Sequence, residues 1–186
     1  LHSINKVFTE IYDAWNSDTF FSLIKAFELP TNNQIKTFSR GMRMKAALTI
    51  ALSHDAKLLI LDEATAGMDV SGREHVLEIL EDYLGDDRAI LISSHISEDI
   101  EQLATQLVFM RDGRIILKES KEVLLSQYGI IDQPVEHFNI SNEYLIATRR
   151  RNDRQISLVN NYQKVPDAQP LKTIDDATKI IMRGEV

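Results

Sequence analysis

The chain has 186 residues, with 21 Lys and Arg against 28 Asp and Glu for a formal charge of −7, 44% hydrophobic residues and no cysteine. That is ordinary globular composition with room for one domain and an appendage, and the missing thiols exclude disulfides, thiolate metal sites and Cys nucleophiles and fit a reducing compartment. The acidic balance argues against non-specific nucleic-acid binding, and apolar runs such as Leu58–Leu61 and Ala89–Ile92 fall far short of the ~18–20 residues of a membrane-spanning helix.

The opening Leu1, His2 and Ser3 lack the basic-then-apolar pattern of a signal peptide, and a start at Leu reads as a piece of a longer chain. Ile4, Val7, Phe8, Ile11 and Trp15 recur at helical spacing; Asp18 then precedes a second stripe of Phe20, Phe21, Ile24 and Phe27, predicting a helical hairpin closed at Pro30. A helix from about Arg40 places Met44, Ala47, Leu48, Ala51 and Leu52 on one face. Lys57–Leu61 reads as a strand covered on both sides, the pattern of a parallel sheet flanked by helices. Ser71 and Glu74 form an S-x-x-E capping box for a helix with Val76, Leu77, Leu80 and Leu84 on its apolar face. Ala89–Ile92 is a second buried strand, Ser97 with Glu98 and Asp99 opens another helix, and Leu107–Met110 is a third strand. Arg111-Asp112-Gly113-Arg114 turns that strand into Ile115–Leu117 as an Asp-Gly hairpin. This alternation predicts an α/β fold with a parallel sheet. After a short helix at about 120–128, residues 130–165 mix short β-favouring pieces with turns at Pro134 and Pro166, and Thr173 and Asp176 cap a final helix carrying Ile174, Ala177, Ile180 and Ile181. The expected division is therefore a domain over 1–128, made of a helical subdomain (1–53) and a sheet core (54–128), followed by a small α+β extension at 129–186.

The sharpest chemical feature is Leu58-Leu59-Ile60-Leu61-Asp62-Glu63, a buried strand running into two adjacent carboxylates. At the carboxyl edge of a parallel sheet, where such folds bind ligands, one Asp holding Mg²⁺ and one Glu polarising water would serve phosphoryl transfer. Two solvated acids at a strand end explain the pattern equally well when it is taken alone. Around it stand Phe38-Ser39-Arg40-Gly41-Met42 before a helix, Ala66-Gly67-Met68-Asp69 after the carboxylates, and Ser93-Ser94-His95 at the end of the next strand. Ser39 and Gly41 lie where a helix begins, so backbone N–H groups, a hydroxyl and the positive end of the helix dipole face an anion. A lone histidine at a strand end is more often structural than ligating, and His2, His54, His75 and His137 have no comparable company.

In that order the four segments resemble the signature, Walker B, D-loop and H-loop motifs of ABC transporter ATP-binding subunits. The resemblance implies that Ser39 and Gly41 cap the γ-phosphate of ATP held by an opposing subunit, that Asp62 is the magnesium aspartate and Glu63 the general base, that Gly67 and Asp69 belong to the D-loop, and that His95 is the switch histidine at the γ-phosphate. It implies ATP and Mg²⁺ as cofactors, a second ATP-binding subunit in a head-to-tail dimer, a separate transmembrane permease, and a cytoplasmic location at the inner face of the cell membrane. Docking to the permease is expected through the hairpin of residues 3–29, with Trp15, Phe20 and Phe21 as its apolar surface.

Phe38, Arg40 and Met42 replace the first, third and fifth residues of the usual Leu-Ser-Gly-Gly-Gln signature, a variation similar to the branch that drives type-2 exporters. No G-x-x-x-x-G-K-[ST] phosphate loop occurs in the 186 residues, and the Gln loop is also missing. The nearest match, Gly67 to Glu74, puts Arg73 where the Lys belongs and a carboxylate where the hydroxyl belongs, so it does not receive phosphates. The chain thus resembles the C-terminal portion of a longer subunit and is expected to be inactive alone. Two other readings stay open: the ATPase head of a DNA-repair or chromosome-organising protein, which residues 1–37 disfavour because they lack sustained heptads, and a degenerate, non-hydrolysing partner subunit. The cluster Arg149, Arg150, Arg151 and Arg154 reads as a solvated turn between strands ahead of a phosphate, lipid or acidic-partner site.

Overall fold

The computed structural model describes residues 1–185 and forms two compact units, Leu1–Leu103 and Ala104–Val186. In the first unit the chain order is α1 (His2–Ile11), α2 (Ser17–Ala26), α3 (Arg40–Leu52), β1 (Leu58–Asp62), α4 (Val70–Tyr83), β2 (Ala89–Ser93) and α5 (Ser97–Leu103). The helical hairpin read from the apolar spacing is α1–α2; Asn16 caps α2 by accepting from the Thr19 N–H at 2.9 Å, leaving Asp18 in the first turn beside the positive end of the dipole. Phe20, Ile24, Phe27 and Phe38 join Leu48, Leu52, Leu59, Val76 and Leu80 in one buried cluster. The buried residues of α3 are Ala46, Leu48, Thr49 and Leu52, so its core face turns from Ala47 toward Ala46 and Thr49. Thr49 is tolerated there because its hydroxyl donates to the Lys45 carbonyl one turn back, at 2.9 Å.

Strands β1 and β2 pair in parallel, with Leu58 opposite Ala89 and Asp62 opposite Ser93. Three sequence expectations are corrected here. Only one face of this pair is covered: Leu59 is buried in the cluster, while Leu58 is 54%, Ile60 71% and Leu91 60% exposed, because successive side chains of a strand point to opposite faces and the first unit supplies helical packing to one of them. The third strand does not extend the pair, since its hydrogen bonds go to the hairpin partner that follows it. Helix α4 starts at Val70 with Asp69 as N-cap, and the Asp69 carbonyl accepts the Arg73 N–H at 3.0 Å; Ser71 therefore falls inside the first turn and the S-x-x-E box does not cap the helix.

The second unit runs β3 (Gln106–Arg111), β4 (Arg114–Ser120), α6 (Lys121–Gln127), β5 (Gly129–Pro134), β6 (Leu145–Arg151), β7 (Arg154–Val159), β8 (Gln169–Pro170) and α7 (Ile174–Arg183). β3 and β4 form the antiparallel Asp-Gly hairpin, with Asp112 at φ 51° and Gly113 at φ 73° as a tight two-residue turn requires. A four-stranded antiparallel sheet in the order β6-β7-β5-β8 packs against α7, whose Ile174, Ala177, Ile180 and Ile181 are buried. Thr173 caps α7 by accepting from the Asp176 N–H at 3.2 Å, and Arg111 donates to the Ile181 carbonyl at its far end at 2.6 Å. The compact unit thus begins 25 residues ahead of the boundary expected after residue 128 (128 − 103), because α6 packs on β4, α7 and β8 and α7 packs on β3. The arginine cluster sits where β6 turns into β7, and Arg154 is held by Asp132 at 2.8 Å. Residues 139–140 form no strand, while β5 runs through to Pro134, a residue the sequence places in a turn.

Replacing Leu80, which is fully buried in the first unit, by Ala is expected to cost about 2–5 kcal/mol. Urea denaturation followed through the fluorescence of Trp15, the single tryptophan, measures this. In the second unit, burial and the Glu119 carboxylate, which accepts from the Tyr128 hydroxyl at 3.3 Å, push that phenol up to about 12 from its usual 10. An unfolded chain gives up this proton near pH 10 while the folded one keeps it, so stability holds below pH 10 and falls between 10 and 12. Thermal unfolding across that range should show a shallower alkaline loss in Tyr128→Phe than in the parent.

Candidate functional site

The register of β1 and β2 sets their carboxyl ends level, and the first group of candidate residues is assembled there. The Ser93 hydroxyl donates to Asp62 Oδ1 at 2.5 Å, and Glu63 N–H donates to the Ser93 carbonyl at 3.0 Å and lies 3.3 Å from the Ser93 hydroxyl. Glu63 adopts a left-handed backbone, φ 52°, which turns the chain sharply out of the strand. That turn brings Glu63 Oε2 into contact with His95 Nδ1. The His95 side chain is 71% exposed against 36% for Glu63, and Asp62 is exposed. One carboxylate therefore faces solvent with Oδ1 held by the Ser93 hydroxyl, while the other is paired with an imidazole. Ser93, which the strand pattern treats only as the residue before a Ser-His pair, is the group that ties the two strand ends together. Its signal in the sequence is no more than its register position opposite Asp62.

A second group forms around the start of α3. Ser39 is the N-cap, exposed, and its Oγ accepts from the Met42 N–H at 3.2 Å, so one lone pair serves its own helix while the hydroxyl proton remains directed by its surroundings. Gly41 lies on the segment after the carboxylates: a Cβ there would sit 3.6 Å from Met68 Cγ and 3.7 Å from the Gly67 carbonyl oxygen. Gly67 has φ +79°, and a Cβ on it would meet Arg40 Cδ at 3.0 Å, so conformation and the close approach of Arg40 both call for glycine. Asp69 is exposed at the head of α4, and its Oδ1 lies 2.7 Å from where a Cβ on Gly72 would be; the absent side chain at 72 gives the carboxylate its place. Ser39, Gly41, Gly67 and Asp69 are thus neighbours within one chain, and Glu63, Asp62 and His95 form the other group.

Residues 64–66 join the two groups and are buried. Ala66 N–H donates to the Glu63 carbonyl at 3.0 Å and Met68 N–H to the Thr65 carbonyl at 3.2 Å, two successive turns that fix the path from Glu63 to Asp69. Three of the remaining histidines pack against aromatic rings, His2 on Phe21, His54 on Tyr12 and His75 on Phe27.

Among the described residues no cluster of three or more His, Asp or Glu could cage a metal ion. The donor set at Asp62 is instead a single exposed hard oxygen ligand. That fits Mg²⁺, which keeps several waters and takes one or two carboxylates plus substrate phosphates.

Residues 6–66 match the ABC transporter family model. The chain is 37% identical over 116 residues to the lantibiotic transport ATP-binding protein SrtF of Streptococcus pyogenes, a match that covers 62% of this chain and 47% of that protein. It is 32% identical over 120 residues to the linearmycin resistance ATP-binding protein LnrL of Bacillus subtilis, covering 63% and 38%. It therefore spans less than half the length of these relatives. Among solved structures, an ATP-binding subunit of an ABC transporter superposes with a TM-score of 0.53 at 23% identity, over 59% of this chain and 48% of that one. A cobalt transport ATP-binding protein superposes with a TM-score of 0.56 at 19% identity, over 78% and 53%. Those identities speak for the fold alone, which is the mixed α/β arrangement of ABC nucleotide-binding domains. Residues 6–66 are thus similar to the ABC transporter family, and the curated relatives matched are ATP-binding proteins of such transporters.

Proposed function

We propose that the chain belongs to the nucleotide-binding subunit of an ABC exporter, which couples ATP binding and hydrolysis to transport through a separate membrane permease. The observation that carries this reading is the β1/β2 register, which sets the exposed Asp62 beside the Glu63–His95 pair at the carboxyl ends of two parallel strands. Relatives named for lantibiotic transport and linearmycin resistance support the direction of transport as export.

In this reading Asp62 supplies one ligand to the Mg²⁺ that accompanies ATP, and the ion would neutralise charge on the phosphates as they separate. Glu63 orients the attacking water and takes its proton through Oε1 or Oε2, and His95, already in contact with Oε2, sets which oxygen is free. The 13-residue helix α3 turns its N-terminus, with Ser39 and Gly41, toward the phosphates held by an opposing subunit. Gly67 and Asp69 lie alongside at the same face. Two subunits meeting head to tail would complete both sites, and the phosphate-cradling loop comes from polypeptide outside these 186 residues. In the same reading residues 129–186 extend the ATPase portion 1–128 in function, although they share a compact unit with residues 104–128. No helix among the described residues is long and apolar enough to cross a membrane; a subunit with this function would work at the inner face of the cell membrane. Of the residues expected at the permease contact, Phe20 is buried, tilted against Trp15 and edge-on to Phe21, which both stay partly exposed; Val7, Ile11 and Tyr12, exposed along α1 and at its end, would extend that surface.

Glu63→Gln in the natural gene product should lower ATP turnover by about 10²–10⁴-fold, the range general-base removal covers, with ATP binding kept. Unchanged turnover in that variant would overturn the assignment. Calorimetry of the 186-residue chain should show no micromolar binding of ATP, and tight binding would refute the need for a loop supplied from outside it.

A further inference from the structure

Asp99 is the one acidic side chain of the first unit that is wholly buried, at 0% exposure. It lies in the first turn of α5, four residues beyond His95. A buried carboxylate is costly unless its oxygens are engaged, and the engagements found here are unusual in where they lead. Asp99 Oδ2 accepts from the Thr65 hydroxyl and, at 3.1 Å, from the Ser94 hydroxyl; Oδ1 lies 3.4 Å from Arg73 Nε on α4. A single oxygen atom therefore receives one donor from the segment after β1 and one from the segment after β2.

Those two donors flank the candidate chemistry. Thr65 is two residues beyond Glu63 and two before Gly67, in the buried connector that joins the two groups of site residues. Ser94 precedes His95, and its oxygen also accepts the Ile96 N–H at 3.0 Å, which fixes the hydroxyl proton toward Asp99 and pins the backbone on both sides of His95. The His95 ring, 71% exposed, has little packing to hold it. Its place beside Glu63 must come from its backbone, and that backbone is anchored at Ser94 and Ile96.

We propose that Asp99 is a positioning residue, holding the Glu63 and His95 segments in one mutual arrangement through the shared Oδ2 acceptor, with Arg73 balancing its charge. It does not touch the reacting atoms. Its consequence for ATP hydrolysis rests on the function proposed above, whereas the coupling itself does not. A bland alternative is that Asp99 only satisfies buried donors and steadies the unit as any core residue does.

The two are separated by Thr65→Val, which keeps the shape of the side chain and removes the donor on the Glu63 side alone. In the whole chain with ¹³C,¹⁵N-labelled histidine, this variant should shift the His95 ring signals and speed amide exchange at residues 94–96 about tenfold, although the hydroxyl it removes donates to Asp99. Asp99→Asn should do the same, and Thr65→Val should add nothing further in the Asp99→Asn background. Val76→Ala, a change at another fully buried position, on α4, should leave the His95 signals where they are. His95 signals and exchange rates unchanged in Thr65→Val would overturn the proposal, as would an equal change in Val76→Ala. Should Asp99→Asn fail to fold, Thr65→Val against Val76→Ala decides alone. These measurements need no nucleotide, so their outcome is independent of whether ATP is hydrolysed. In the ATP-hydrolysing protein the positioning role further requires Thr65→Val to lower kcat with KM for ATP unchanged, and a parental kcat would overturn it.

Discussion

The parallel register of β1 and β2 is the constraint on which the rest of the site depends. Because Asp62 stands opposite Ser93, the two strands leave the sheet at the same level and the residues that follow, Glu63 on one side and Ser94-His95 on the other, are brought within reach of each other. A slip of one residue would send every side chain of the strand to the other face, removing Leu59 from the core and parting Asp62 from the Ser93 hydroxyl. Core packing and site assembly are therefore enforced by the same hydrogen-bond ladder. Leu59, buried with Val76 and Leu80, makes the register a matter of hydrophobic burial as well as of chemistry.

Glu63 shows what that geometry costs. A left-handed conformation at a residue with a Cβ is disfavoured by roughly 1–2 kcal/mol, and glycine would adopt φ 52° without penalty. The chain nonetheless places a glutamate there. The strain is offset by the Glu63 N–H bond to the Ser93 carbonyl and by the turn that the Glu63 carbonyl closes with Ala66, and what it gains is a carboxylate aimed across the strand ends at His95. Strained conformations of this kind persist where surrounding structure over-determines them. Here the determinants are the ladder on one side and the buried 64–66 connector on the other.

Much of this was legible in the sequence because it depends on local rules. Apolar spacing gave α1, α2 and α4, Ser39 and Thr173 are the caps their positions suggest, and Asp112-Gly113 is the hairpin turn that its dipeptide specifies. What could not be read depends on partners far along the chain. Leu58, Ile60 and Leu91 are as apolar as Leu59, and nothing in a continuous run tells which face is covered. The Ser71–Glu74 spacing satisfies a capping pattern, yet Asp69 two residues earlier already has the extended backbone that ends the loop. The Asp-Gly turn announces that Leu107–Met110 pairs with the strand after it, but nothing in its apolar run tells whether it also joins the parallel pair. Ser93 and Asp99 escape for the same reason. A serine before a Ser-His pair and an aspartate in a helix's first turn acquire meaning only when the strands are aligned and the Thr65 and Ser94 hydroxyls converge on one carboxylate.

The exposure of the site argues for how it would work. Asp62, His95, Ser39, Gly67 and Asp69 are all open to solvent, and an electrostatic centre that stabilises phosphoryl transfer gains most of its strength when water is excluded. Short polar groups on an open surface do not exclude water by themselves. They become effective when a second surface closes over them, so under the proposed function closure is the step that converts ligand binding into catalytic competence. A site built this way needs its own half held rigid before closure, since any freedom between the Glu63 and His95 segments would be ordered at the expense of closing energy. Convergence of Thr65 and Ser94 on the buried Asp99 would remove that freedom in advance, while Asp62 and His95 stay exposed as the proposed closure requires.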